Sequence, residues 1–202
     1  MPLVRKPSSP TEMPAPDDRT VSQLLIGGSD DERWAAARSA SLLPDALPLL
    51  TAALSKEQVA RVREAIFTAL AKIGSIESAN VALPYLRSDD AAKRTAALDA
   101  LRAMPQAAAH FLPELLRDVD TDVRLLACEI ARALPADDAS RLLGELIGRE
   151  QDTNVCAAAV EVLAEAGNAA SFSLLEQCAS RFPDEPFLTF AIKIARDRIG
   201  SR

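Results

Sequence analysis

Aromatic residues are scarce in this chain: one Trp, one Tyr and six Phe make up 4% of 202 residues. Since 49% of the residues are hydrophobic, a core must be assembled from Ala, Leu, Val and Ile, which let helices approach closely, and the length is ample for one domain. Histidine is scarcer still. His110 stands alone, so a Ser-His-Asp or Cys-His relay would have to be built on it, and no GxSxG-type elbow surrounds any serine. It is expected on a helix surface. The three cysteines, Cys128, Cys156 and Cys178, lack CxxC spacing and read as packing residues, which leaves no metal site or cofactor site to predict. No run is long and apolar enough to span a membrane, and the N-terminus lacks the apolar core of a leader, so a cytoplasmic protein without a membrane partner is expected. Positive charge is not in excess either: a net charge of −6 and a pI near 4.9 argue against a nucleic-acid partner, which would need a local basic stripe. Alternating β patterns with hairpin turns are missing as well, which makes the chain all-α.

What the sequence does have is a period. Helix-like stretches stop at Pro44, Gly74, Pro105, Pro135, Gly167 and Gly200, at intervals of 30, 31, 30, 32 and 33 residues. Twelve residues before each stop lie Glu32, Val62, Lys93, Val123, Val155 and Leu188; eight before lie Ala36, Ile66, Ala97, Ala127, Ala159 and Ile192. Further columns five and one before the stop continue the 4, 3, 4 spacing of one helical stripe. A repeat of this length is one helical hairpin, too small to bury its own apolar face, and it is stabilised by stacking on its neighbours as a solenoid.

The same alignment supplies helix starts. Ser29, Asp90, Asp120, Asp152 and Glu185 occupy the position fifteen before the stop, where an acceptor side chain satisfies free N–H groups of a first turn; only Val59 breaks the column. Four residues later come Arg33, Arg63, Arg94 and Arg124, then Cys156 and Thr189. Asp90 with Arg94 and Asp120 with Arg124 are expected to pair along one helix face, and stacking should bring each Arg near an acid of the adjoining repeat.

The pattern Asp-x-x-Val-Arg-x-x-Ala-x-x-x-Leu-Gly, best seen in Asp120 to Leu134 (DTDVRLLACEIARAL) and Val62 to Gly74 (VREAIFTALAKIG), resembles HEAT repeats of the phycobilisome-lyase-like type over about residues 29 to 200. The resemblance implies an α-solenoid of five to six helical hairpins, with units near 29–55, 57–88, 89–118, 120–149 and 152–182 and a capping helix at 185–200. Function transfers poorly, because such repeats serve enzymes, adaptors and transport factors alike. Deoxyhypusine hydroxylases of this type bind iron through several His-Glu pairs, which one His110 followed by Phe111 does not supply. Related DNA glycosylases line a face with Lys and Arg, against which the acidic charge weighs. Bilin attachment or detachment, implied by the family name alone, finds no recognisable tetrapyrrole pocket in the sequence; a bilin-lyase-like enzyme or a chaperone-like subunit for a chromophore or cofactor protein stands as the alternative reading.

Second helices are less regular. Leu47-Pro48, Leu83-Pro84 and Leu112-Pro113 recur, with Pro48 and Pro113 read as first-turn residues, while Pro84 implies a helix that starts near Ala82 or bends. Residues 1–19, with five prolines and no apolar period, are expected to be disordered or extended, and Thr20 to Ile26 to form a capping helix. In the last unit Lys193, Arg196 and Arg198 fall where inner helices carry apolar residues, as a terminal repeat with a wet face requires.

These features point to a non-catalytic scaffold or adaptor that holds a protein partner, of the kind found in signalling or assembly complexes, in a groove lined by second helices. Candidate groove residues are Thr51, Tyr85, Arg87, Glu114, Arg117, Glu145, Arg149 and Gln177, with Tyr85 favoured as an aromatic anchor turned away from the core. Trp34 has a column half of which is polar (Glu64, Thr95, Leu125, Ala157, Phe190); it either caps the end of the core or anchors a partner. The identity of the partner, the oligomeric state and the solenoid face used are not encoded in any motif.

Overall fold

Short acceptor side chains start most of the long helices, and prolines set where the chain turns back. The computed structural model describes residues 18 to 201; the tail expected at residues 1–19 lies outside them, apart from the backbone of its last two residues, which begin α1. After α1 (Asp18–Gly27) come α2 (Asp30–Ala40) with α3 (Ala46–Leu54), then α4 (Ala60–Ile73) with α5 (Ile76–Ala82) and a 3-10 turn over Leu83–Arg87. The third unit is α6 (Ala91–Arg102) with the short α7 (Pro105–Ala109) and α8 (Leu112–Leu115), the fourth α9 (Thr121–Ala131) with α10 (Ala136–Arg149). In the fifth, α11 (Thr153–Ala166) is followed by a 3-10 turn over Ala169–Ser171 and α12 (Phe172–Arg181), and α13 (Pro186–Gly200) follows. No strand occurs among the described residues. The first helices stack in succession, α2 on α4, α4 on α6, α6 on α9, α9 on α11 and α11 on α13, which makes the architecture an all-α solenoid.

Caps account for the helix starts. Ser29 and Glu32 form a reciprocal capping box on α2, Asp90 accepts from the N–H groups of Ala92 and Lys93, Asp120 from that of Asp122, and Asp152 from those of Asn154 and Val155. Glu185, the last of that column, makes no side-chain cap bond. The helix ends differ from the expected stops. α2, α6 and α9 finish before Pro44, Pro105 and Pro135, because a proline disfavours helical geometry in the residue ahead of it; Pro105 then opens α7 and Pro135 precedes α10. Gly74 closes α4 in the left-handed region at φ 65°, Gly167 caps α11, and α13 ends on Gly200, as expected. Pro84 breaks its helix into α5 and a 3-10 turn.

The core is one continuous cluster of small and branched aliphatic side chains running through every unit, with Leu50, Ile66, Leu101, Ile130 and Leu143 fully enclosed. Each such side chain contributes about 1.5–3 kcal/mol relative to exposure. Phe67 is the one aromatic among the largest buried groups. All three cysteines are buried and free, and burial pushes the Cys128 thiol up to about 12. Cys156 is raised by its hydrogen bond with Cys178 and by burial; that bond and Arg181 together draw Cys178 down. Leu174 of α12 packs over Gly144 of α10, where an added Cβ would sit 2.7 Å from Leu174 Cδ1.

The first-helix arginines lock consecutive units together, by a different pairing from the i,i+4 one expected. Arg124 donates from Nε and Nη2 to the two carboxylate oxygens of Glu150 at 2.8 and 3.2 Å, and from Nη1 to the Asp118 carbonyl at 2.8 Å, while Asp120 is occupied with its own helix. Arg33 repeats this arrangement with Glu57 at 2.8 and 3.1 Å. Glu57 and Glu150 in turn accept from the two following backbone N–H groups, Gln58 and Val59 in one case, Gln151 and Asp152 in the other. The first turn of α4, whose N-cap is Val59, has no side-chain cap. Arg63, itself buried, reaches Asp90 at 3.3 Å and the Gln58 carbonyl, whereas Arg94, among the described residues, bonds only the Ser88 carbonyl at 2.6 Å and does not pair with Asp90.

The bonds from Arg33 hold the Glu57 carboxyl below the ordinary range against the opposing effect of burial. At Glu150 burial is the largest influence and pushes upward, but the bonds from Arg124 and the backbone outweigh it. A depressed carboxylate contributes stability that is fully present above its unfolded value of about 4.3 and lost as pH falls through the folded value. Unfolding of the wild type should therefore become easier below about pH 4.3, and Glu150→Gln should flatten that dependence in urea titrations run at several pH values. Arg124→Ala should lower unfolding free energy at neutral pH by about 2–3 kcal/mol, since it strands a buried carboxylate. Arg94→Ala, which strands only a carbonyl, should cost about 1 kcal/mol in the same measurement.

Candidate functional site

The ends of the second helices carry a second arginine column, Arg87, Arg117, Arg149 and Arg181, spaced 30, 32 and 32 residues apart. Each sits where a helix or turn runs out and presents carbonyl groups without partners, the negative end of the helix dipole. Arg149 donates to the Glu145 carbonyl at 2.8 Å and, across the repeat boundary, to the Leu116 carbonyl at 3.0 Å. Arg181 donates in the same way to the carbonyls of Gly148, at 2.6 Å, and Ile147. Arg87 pairs with Asp118 of the following unit. Arg117 bonds the Pro113 carbonyl at 3.1 Å and lies 3.6 Å from the Glu145 carboxylate, which also faces Arg141 at 3.8 Å.

Of the residues expected to line a groove, Arg117, Glu145 and Arg149 are thus brought together as one charged cluster, and Arg87 adjoins it through Asp118 beside Arg117. Burial, followed by the neighbouring Arg117 charge, lowers the Arg149 pKa. Glu114 is exposed on α8, and Thr51 and Gln177 are exposed further along. Tyr85 departs from expectation. It is half-buried, its ring stands edge-on against core Phe67 at 5.3 Å and 88°, and that burial raises its hydroxyl pKa. The reason is the 3-10 turn after Ala82, which rotates Tyr85 back toward α4.

Trp34 is not part of this cluster. It lies on a first helix, 36% exposed, with the Arg38 guanidinium 4.5 Å over its ring. Nor does it cap the core, whose end is covered by α1 through the buried Val21 and Leu25. His110 is exposed at the end of α7, its Nδ1 3.1 Å from the Gln106 carbonyl. Sequence reading missed Asp118, Arg141 and Arg181. Arg181 was available from the period, in phase with the other three arginines, whereas Asp118 and Arg141 become partners only through stacking. No helix among the described residues is long and apolar enough to cross a membrane.

A family model described as HEAT repeats matches residues 19–102 and 108–189. Among solved structures, the chain is similar to an engineered protein, with 18% identity, 92% of this chain and 97% of the other covered and a TM-score of 0.46. It is similar to human deoxyhypusine hydroxylase in complex with glycerol at 17% identity, with 90% and 84% covered and a TM-score of 0.47. A designed armadillo repeat protein aligns at 16% identity, with 91% and 100% covered and a TM-score of 0.44. Likenesses at this level bear on neither substrate nor partner. No protein of curated function matches the chain.

Because Tyr85 packs on Phe67, Tyr85→Ala should lower the melting temperature, by several degrees for a loss of about 1–2 kcal/mol. Glu114→Lys, on an exposed side chain, should leave it within about one degree of wild type. Differential scanning calorimetry of the two variants checks both.

Proposed function

Since this chain belongs to the HEAT-repeat family, we propose that it is a protein-binding scaffold whose second-helix ridge receives a segment of a partner protein, with residues 20–202 acting as one binding unit. The observation that carries the reading is the charged cluster of Arg117, Glu145 and Arg149, joined through Asp118 to Arg87, with arginine side chains whose guanidinium groups are held by contacts across repeat boundaries. Arginines fixed in this way lose little further freedom on binding, which favours association through polar contacts. Signs alternate along the ridge: Arg87 and Asp118, Arg117 and Glu145, then Arg149. A partner segment with charges of both signs at matching intervals fits such a surface, and specificity comes from the order of signs more than from net charge. An adaptor role in a regulatory or assembly complex follows from this reading. The narrower kinship with phycobilisome-lyase-like repeats is supported by the Asp120–Leu134 motif.

Affinity capture with the full chain from native lysate, followed by mass spectrometry, identifies the partner. Arg117→Glu combined with Glu114→Lys should then weaken association by at least about tenfold with little change in melting temperature, because both side chains are exposed. Trp34→Ala should bind as wild type. If the ridge variant retains full affinity while the Trp34 variant loses it, the first-helix face is the binding surface and this reading is wrong.

A further inference from the structure

Two of the three free cysteines meet inside the fifth unit. Cys156 lies near the start of α11 and Cys178 toward the end of α12; both are fully enclosed, and their thiols share a hydrogen bond. Two sulfur nucleophiles side by side in an aliphatic core are a chemical pair that packing alone does not require. Arg181 sets the pair apart. It follows Cys178 by three residues on α12, and so shares its face of the helix. Its Nη1 and Nη2 groups donate to the carbonyls of Gly148 and Ile147 at the end of α10, which fixes the plane of the guanidinium. Nε is buried and has no hydrogen-bond partner among the described residues. A buried cationic donor without an acceptor is costly, and a thiolate at Cys178 answers the charge of Arg181 at short range.

The two thiols are unequal. The bond from Cys156 first, and then Arg181, draw the Cys178 pKa down against burial, whereas Cys156 is raised and keeps its proton, with the Glu150 carbonyl 3.9 Å from its sulfur. One sulfur ready to attack beside one held as a thiol is the arrangement of an attacking and a resolving cysteine. We propose that Cys178 and Cys156 are a peroxide-responsive pair that closes to a disulfide between α12 and α11, with Arg181 as the group that activates Cys178. The Cys178 thiolate attacks one oxygen of hydrogen peroxide; the O–O bond breaks, and the departing hydroxide takes up a proton and leaves as water, so that Cys178 becomes a sulfenic acid. The Cys156 sulfur then attacks the sulfenic sulfur. The S–S bond forms, the S–O bond breaks, and the hydroxyl leaves as water with the Cys156 proton. The two thiols are oxidised and the peroxide is reduced to water. Enclosed sulfurs admit only a small oxidant, and a unit near the end of a stack, covered by fewer neighbours, opens locally at lower cost than one in the middle. Cys128, on α9 and just as enclosed, is kept protonated chiefly by burial and has no second cysteine beside it, which makes it the internal control. The pair lies apart from the second-helix ridge, and its test is independent of the scaffold reading.

The reduced full chain is treated with hydrogen peroxide while folded, then alkylated in denaturant, digested and analysed by mass spectrometry. A peptide cross-linked through Cys156 and Cys178 should appear, with Cys128 the thiol that stays free. The oxidised chain should melt several degrees above the reduced one, because the bond closes the loop that holds the turn over Ala169–Ser171, and dithiothreitol should reverse the shift. Cys156→Ser should stop the reaction at a Cys178 sulfenic acid, which dimedone traps. Arg181→Ala should slow oxidation of Cys178 by at least about fivefold, and Arg181→Lys, which keeps the charge, should recover most of the rate. The proposal is overturned if Cys156 and Cys178 both remain alkylatable after peroxide, if the cross-link involves Cys128 or a second chain, or if the oxidised form melts below the reduced one. Oxidation of Arg181→Ala at the wild-type rate overturns it as well.

Discussion

A helical hairpin of about thirty residues has more apolar surface than its two helices can hide from each other, and this constraint organises the whole molecule. Stacking is the only outlet. It requires that successive units sit close enough for aliphatic contact, which explains why Ala fills so many core positions, among them Ala37, Ala40, Ala97, Ala127, Ala131 and Ala159. It also explains why one enclosed phenylalanine suffices, and why the second helices tolerate breaks such as α7 and α8, which are held by neighbours rather than by their own length.

Stacking by apolar contact alone would leave rotation between units loosely defined. The arginines supply the missing direction: Arg33 and Arg124 each bind a carboxylate bidentately in the next unit, and that carboxylate caps the backbone leading into the next helix. One guanidinium thereby fixes both the position and the start of the following first helix. The second column, Arg149 and Arg181, works in the opposite direction along the chain, gripping carbonyls of the unit before. Polar bonds of this kind add modestly to stability and more to uniqueness, because planar, bidentate groups accept few alternative registers.

The sequence makes these relations unequally legible. The core stripe and the caps of α2, α6, α9 and α11 follow from spacing and side-chain chemistry within a few residues, and so could be read directly. The pairing of Arg124 is legible only in part: stacking implies an acid of the adjoining repeat, but two acids compete, Asp120, four residues away on the same helix, and Glu150, brought near by stacking. Backbone N–H groups claim Asp120 first, and local capping wins over the i,i+4 pair. Tyr85 was misread for a similar reason. Its direction depends on a 3-10 turn that Pro84 induces, and a change of about one third of a turn moves a side chain from solvent to core. The arginine ridge was half visible: its members lay in phase, but their partners lie about thirty residues away.

Gly144 has a consequence well beyond its own contacts. Each unit inherits its orientation from the one before, so an angle introduced at any joint is carried undiminished to everything beyond it. At the joint between the fourth and fifth units a methyl group on Gly144 would meet the tip of the Leu174 side chain at 2.7 Å, so α10 and α12 pack there with Leu174 seated over the glycine. Beyond that joint lies α13, stacked on α11. What the packing at this joint sets is aim, the direction in which Phe187 and Phe190 point relative to the arginine ridge.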